Sequence, residues 1–383
     1  MIPRTAEKEL HILSQQFKAV AVVGPRQSGK TTLVRKVFSE KPYANLENPD
    51  LRRFAAEDPR GFLSGYPDGA VLDEIQRAPE LFSYLQQILD ESETRGLFIL
   101  TGSNNVLQQE SISQSLAGRV GYLFLLPLSL AETSEDAGNS NDFIFKGGYP
   151  ALYQEISDPA RFYANYIRTY VERDVRLLKN INDLYAFERF MRLCAGRTGQ
   201  LLNMNSLSIE VGVDVKTIGA WIGVLEASFV VFRLQPWHES FNKRVVKMPK
   251  LYFYDTGLAA ALLGLESPSQ LALHPSRGSL FENLVVLECL KYRYNKGLPS
   301  KLFFWRDNTG HEIDVLIDEP TGRIPVEIKS GQTISEDFFK GIRFWHKLTN
   351  TTGGFVVYAG DTFQNRSNGI KVLPYRQTSK IYE

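Results

Sequence analysis

The chain has 383 residues, 43% of them hydrophobic and 23% charged, with 44 basic against 43 acidic side chains. That length suits two or three ordered domains, the composition excludes a largely disordered chain, and the near-zero balance leaves any nucleic-acid contact to local clusters. The opening MIPRTAEKEL holds no apolar signal core and no run reaches the length of a membrane span, so a cytoplasmic protein without membrane partners is expected.

From Ala19 the chain reads AVAVVGPRQSGKTTLVRKVF. A short apolar run, a glycine loop and helical spacing at Leu33, Val34, Val37 and Phe38 predict a strand, a phosphate loop and a helix. Gly24, Gly29, Lys30 and Thr31 satisfy G-x-x-x-x-G-K-T. The glycines let backbone N–H groups close around an oxyanion, Lys30 neutralises the outer phosphates, and Thr31 offers a hydroxyl to Mg²⁺. The ATP-binding residues expected are therefore Gly24, Pro25, Arg26, Gln27, Ser28, Gly29, Lys30, Thr31 and Thr32.

A second run, GAVLDEI, ends in Asp73 and Glu74, where strand ends face the ligand of an open α/β sheet. Asp73 is expected in the Mg²⁺ shell, and Glu74 polarises the attacking water. LFILTGSNN puts Ser103 and Asn104 at a third strand end, within reach of the γ-phosphate or its water. Arg119, just before the next strand-like run, is either a finger toward a neighbouring subunit's γ-phosphate or a solvated or structural arginine.

The set GPRQSGKTT, VLDEIQ, LTGSNN and LAGRV, followed by GGYPALY, YVERDV and KLYFYDTGLAAALLG, resembles a prokaryotic family of AAA-type ATPases with a C-terminal domain of unassigned function. The resemblance covers nearly the whole chain. It implies that Lys30 and Thr31 are the Walker A pair, Asp73 and Glu74 the Walker B pair, and Ser103 or Asn104 sensor 1. It also implies a homo-oligomer.

After a polar stretch at 130–141, helical patterns include ARFYANYIRTYVERDVRLL, in which Phe162, Tyr166 and Tyr170 share a face. A helical lid or connector is expected. LNMNSLSIEVGVDVKTIGAWIGVLEASFVVFRL has the shape of a helix-turn-helix, with a turn at Gly212 and a second helix capped by Asp214. The basic FNKRVVKMPKLYFY can form the wing. DNA contact through Lys216, Thr217, Lys243, Arg244 and Lys247 is one reading; a protein contact or plain connector is the other. The resemblance supports the winged-helix fold.

In HEIDVLIDEPTGRIPVEIKSG, residues 311–331, alternation places Glu312, Asp314 and Leu316 on one face and Ile313, Val315 and Ile317 on the other, with Glu327 and Lys329 together on the second strand. Each strand is expected to be half buried. A turn centred on Pro320 and Thr321 sets Asp314 opposite Glu327, at about 4.5–5.5 Å between Cβ atoms. Facing carboxylates repel unless a cation fills the gap, which points to a second Mg²⁺ or Mn²⁺. Lys329 then orients or deprotonates a water for phosphodiester hydrolysis. The order Glu282, Asp314, Glu327-x-Lys329 resembles the restriction-endonuclease-like site written PD…(D/E)xK, with Ile313 where that signature has proline. Glu282 also has a structural reading, as the partner of Ser279 in a capping box.

The expected architecture is α/β throughout: a P-loop AAA-type ATPase core over 1–130, a helical and winged-helix segment over 131–265, and a restriction-endonuclease-like domain over 266–383. The expected function is Mg²⁺-dependent ATP hydrolysis coupled to DNA or RNA binding or cleavage. The alternative is an ATP-driven protein-interaction switch with an inactive nuclease-like fold.

Overall fold

A computed structural model describes residues 2–103, 118–133, 138–156, 158–170, 183–237 and 246–383. Two compact units emerge. The first comprises Met1–Leu128, Glu226–Phe229 and Arg293–Pro299, and the second Ser129–Leu225, Val230–Tyr292 and Ser300–Glu383.

The first unit is built on five strands: β1 (Ala19–Val23), β2 (Tyr43–Asn45), β3 (Val71–Asp73), β4 (Phe98–Gly102) and β5 (Val120–Phe124). All pairs are parallel, in the order β2-β3-β4-β1-β5. Parallel sheets need both faces covered, and β1 shows how the sequence does it. Ala19 and Ala21 pack with Phe62, Leu81, Phe82 and Leu85 on one side. Val20 and Val22 pack with Leu10, Leu13, Leu33 and Val34 on the other. Because β3, β4 and β1 are neighbours, the chain leaving their C-terminal ends converges on one edge.

The second unit carries an eight-stranded sheet. Its members are β6 (Val231–Pro236), β7 (Lys250–Phe253), β8 (Leu302–Arg306), β9 (Glu312–Glu319), β10 (Gly322–Lys329), β11 (Gly354–Tyr358), β12 (Gln364–Asn365) and β13 (Ile370–Pro374). Their order is β12-β13-β11-β10-β9-β8-β6-β7. The boundary expected at 265/266 falls inside this unit, because β6 pairs with β8 and joins the strands of the middle segment to the C-terminal sheet. β7 is further tied to the helix Arg277–Tyr294 by Asn283, whose side-chain amide accepts from Phe253 N–H and donates to Phe253 C=O, both at 2.8 Å.

The β9–β10 turn lies where expected. The ladder runs from Gly322↔Glu319 to Val326↔Val315, one step short of Asp314 and Glu327. Each strand is half buried, through Ile313, Val315, Leu316 and Ile317 in β9 and Pro325, Val326, Glu327 and Ile328 in β10. One expectation is corrected: strict alternation fails. The β8–β9 register shifts between Phe303↔Leu316 and Trp305↔Ile313, a bulge of one extra residue in β9. Leu316 therefore packs in the same cluster as Ile313, beneath Ile342 and Trp345 of the helix Lys340–Thr349, instead of sharing a face with Asp314.

Preceding this sheet, the helices Met204–Val211 and Val215–Ala227 are joined at Gly212, and their inner faces bury Leu207, Val211, Ile218, Trp221, Ile222 and Leu225. The helix Pro159–Thr169 buries Phe162, Tyr163 and Tyr166. Cys194 and Cys289 are both buried.

Candidate functional site

The loop after β1 closes tightly. A side chain at Gly24 would place its Cβ 2.1 Å from the Leu125 carbonyl oxygen, and Gly29, at φ 93°, turns the chain into the helix Lys30–Val37. Lys30 is 5% exposed, and its Nζ donates to the carbonyls of Gly24 at 2.9 Å and Pro25 at 2.8 Å. Burial lowers its pKa to about 8, against the pull of Glu74 and Asp73. An ammonium held this way is ready to exchange carbonyls for phosphate oxygens.

Across the sheet edge, the Thr31 hydroxyl donates to Asp73 Oδ1 at 3.2 Å and Oδ2 at 3.1 Å. Tyr43 Oη donates to Asp73 Oδ2 at 2.5 Å, and Thr101 Oγ1 donates to Asp73 Oδ1. Glu74 sits at φ 56°, a region few non-glycine residues adopt, and such strain is commonly kept where it serves function. Ser103 Oγ donates to Glu74 Oε2 at 3.0 Å, and Gln76 Nε2 reaches both that carboxylate and Ser103 Oγ. The structure thus brings Lys30, Thr31, Asp73, Glu74 and Ser103 together. Asn104 lies outside the described residues.

Arg119 does not join them. It precedes Val120, which pairs with Ala19 at the start of β1, whereas the phosphate loop follows Val23 at the other end. Five strand residues span about 16 Å. Arg119 instead forms a two-pronged pair with Asp90.

In the second unit, a cleft of about 690 Å³ is lined by Lys250, Glu282, Glu312, Asp314, Glu327 and Lys329, among others. Asp314 Oδ2 accepts from the Ile328 N–H at 2.8 Å, which fixes its carboxyl at the end of the β9–β10 ladder. Lys329 Nζ lies 2.5 Å from Glu327 Oε2 and 3.7 Å from Asp314 Oδ2. The repulsion between facing carboxylates is therefore already met by an ammonium. Burial, reinforced by the Asp314 charge, pushes Glu327 up to about 8 despite Lys329. Burial alone would lower Lys329, but Asp314 and Glu327 raise it well above an ordinary lysine. An ammonium so placed can orient a water or phosphate.

Glu282 sits beyond the first turn of the helix that begins at Arg277, where amides already have helical partners. Its Oε1 accepts from Lys250 Nζ at 2.8 Å and Tyr252 Oη at 2.5 Å, in place of the capping box read with Ser279. Among the described residues, no group of three or more His, Cys, Asp or Glu is arranged to hold a metal ion.

At the paired helices, Lys216 is exposed. Thr217 N–H and hydroxyl both donate to Asp214, at 2.9 and 2.6 Å, as the cap of the second helix. Lys247 is exposed, and Lys243 and Arg244 lie outside the described residues. The described part of the basic stretch feeds Lys250 into the acidic cleft.

Residues 16–134 match a family described as "AAA domain", and residues 137–269 and 277–378 match two domains of unknown function, DUF8612 and DUF4143. Uncharacterized protein Rv2008c of Mycobacterium tuberculosis is 31% identical over 337 residues, covering 87% of this chain and 75% of that protein; Uncharacterized protein Mb2031c of Mycobacterium bovis gives the same figures. The chain belongs to their family. Its first unit carries an AAA-type P-loop ATPase domain. The Walker-type ATPase PABY2304 of Pyrococcus abyssi is 14% identical, over 67% of this chain and 94% of that one, with a TM-score of 0.43. That likeness is too loose to transfer a role. No helix among the described residues is long and apolar enough to cross a membrane.

Several site residues of this chain escape a reading of the sequence. Gln76 and Thr101 stand inside the motif stretches VLDEIQ and LTGSNN, adjacent to residues that were read. Tyr43 carries no motif, and strand order alone brings it to Asp73. Lys250 and Tyr252 reach Glu282 because β7 joins the C-terminal sheet.

Proposed function

We propose that this chain is a Mg²⁺-dependent ATPase whose nucleotide cycle controls the binding or cutting of nucleic acid at the acidic cleft. The observation that carries the ATPase is the Thr31 hydroxyl against the Asp73 carboxylate, with Lys30 and Glu74 beside them. Hard oxygen donors at this spot fit Mg²⁺, which when bound supplies charge neutralisation at the phosphates. Lys30 leaves the carbonyls of Gly24 and Pro25 for the outer phosphates. Glu74, steadied by Ser103 and Gln76, orients a water and accepts its proton. The water oxygen bonds the γ-phosphorus as the bond to the bridging oxygen breaks, releasing ADP and phosphate.

Lys30→Ala is expected to abolish hydrolysis. Glu74→Gln is expected to retain nucleotide and slow turnover by about 10²–10³-fold. Steady-state phosphate release and equilibrium nucleotide binding separate the two; an active Lys30→Ala protein would sink the assignment.

For the cleft, Asp314 and Glu327 fit a divalent cation on one observation: Glu327 Oε1 is buried without a hydrogen-bond partner. A cation there would polarise a phosphodiester, and Lys329 would hold its charged oxygens. Incubating wild type and Asp314→Ala with single- and double-stranded DNA and RNA, with Mg²⁺ or Mn²⁺, tests this. Cutting by wild type alone supports the nuclease. The second reading, an ATP-driven interaction switch with an inert cleft, is favoured by Lys329 already bridging the two carboxylates, and absence of cutting on every substrate would select it.

A further inference from the structure

The cleft's four carboxylates, Glu282, Glu312, Asp314 and Glu327, are divided between two ammonium groups. Lys250 takes Glu282 at 2.8 Å and also pairs with Glu312, whose other oxygen is 3.2 Å from Arg306. Lys329 takes Glu327 Oε2 and approaches Asp314. The division is unequal in what it leaves over. Both oxygens of Glu312 are engaged, whereas Glu327 Oε1 is buried and unpartnered. It lies so close to Gly341 that a side chain there would place its Cβ 2.1 Å from that oxygen. Lys250 is only 3% exposed, so it cannot trade its carboxylates for water without a large desolvation cost.

Resting on the reading of Asp314 and Glu327 as a cation site, we propose that Lys250 determines how many cations the cleft accepts. By keeping Glu282 and Glu312 as its own counter-ions, it limits the cleft to a single divalent cation at Asp314 and Glu327. A second cation at Glu282 and Glu312 would have to expel a buried ammonium or sit against its like charge. The strand that supplies Lys250 lies before the helix bearing Glu282, so residues 246–253 set the metal stoichiometry of a site whose other carboxylates come from later strands.

The test counts bound Mn²⁺ by electron paramagnetic resonance on the full chain without nucleotide, in an Asp73→Asn background that removes the nucleotide-site metal. The parent is expected to bind one Mn²⁺, lost in Asp314→Asn. Lys250→Met is expected to bind two, and Lys250→Arg, which keeps the charge, one. One ion in Lys250→Met overturns the proposal, since a merely structural lysine would change the melting temperature and leave the count alone. Two ions in the parent also overturn it, a result that does not depend on any Lys250 variant folding. No ion in the parent, or an unchanged count in Asp314→Asn, overturns the cation-site reading itself and the proposal with it.

Discussion

Glu327 shows how one side chain can oppose its surroundings. It is 4% exposed, and its carboxyl titrates near 8 because burial and the Asp314 charge outweigh Lys329. Between the ordinary value of 4.5 and about 8, the folded protein holds a proton that the unfolded chain releases. Its contribution to stability is fully present below the lower value and is lost as pH rises through the upper one. Glu327→Gln removes that loss. The variant's urea midpoint should therefore gain on wild type between about pH 5 and pH 8.5; a constant difference across that range would refute the burial argument. The geometry of the phosphate loop was legible beforehand, because Gly24, Gly29, Lys30 and Thr31 lie within one local loop. Thr217 shows the local side of capping: its hydroxyl donates to Asp214, three residues away.

Among the elements, the hairpin β9–β10 and the helix Lys340–Thr349 decide the geometry of the cleft. The turn Glu319–Gly322 sets the register, and the bulge against β8 turns Leu316 into the core while leaving Asp314 on the cleft. Such a bulge has no sequence mark here, since the run Val315, Leu316, Ile317 is apolar at every position. The helix fits so closely that Gly341→Ala would drive a methyl into Glu327 Oε1 and to within 2.8 Å of the Glu312 carbonyl. That overpacking should cost about 1–3 kcal/mol. It should also weaken Mn²⁺ binding at the cleft, measured by thermal unfolding and metal titration on the same protein. Unchanged stability and affinity would show that the helix yields. Trp345, fully packed against Trp305, tests the same layer from its core: Trp345→Ala should lose about 3–5 kcal/mol in urea denaturation.

For the whole molecule, the consequence of topology is clearest at Arg119. It stands at the opposite edge of the parallel sheet from its own phosphate loop, so a role at a γ-phosphate requires a second copy of the chain. Under that proposal, Arg119→Ala is expected to lose about 10³-fold in hydrolysis, while Lys30→Ala abolishes it. Their mixture should recover part of it, because one copy supplies the phosphate loop and the other the arginine. An Arg119→Ala protein with wild-type turnover would leave the residue as no more than the partner of Asp90. The same scale governs the DNA reading. Lys216 and Lys247 are exposed, and if they meet phosphates, neutralising each should lower the salt dependence of duplex binding by about one unit of slope; an unchanged slope would assign that face to another partner.

What the sequence by itself determined lies within short stretches: the phosphate loop, the acidic pair at Asp73 and Glu74, the helix pair around Gly212, and the turn that opposes Asp314 and Glu327. In each, spacing along the chain is the geometry, because one strand, one loop or one hairpin holds all the participants. Tertiary structure alone decided the rest. Strand order brought Tyr43 and Thr101 to Asp73, parallel pairing carried Arg119 away from the nucleotide, and β7 delivered Lys250 and Tyr252 to Glu282. Those partners are separated by tens of residues, and a charge buried in a sheet answers to whichever strands pack beside it.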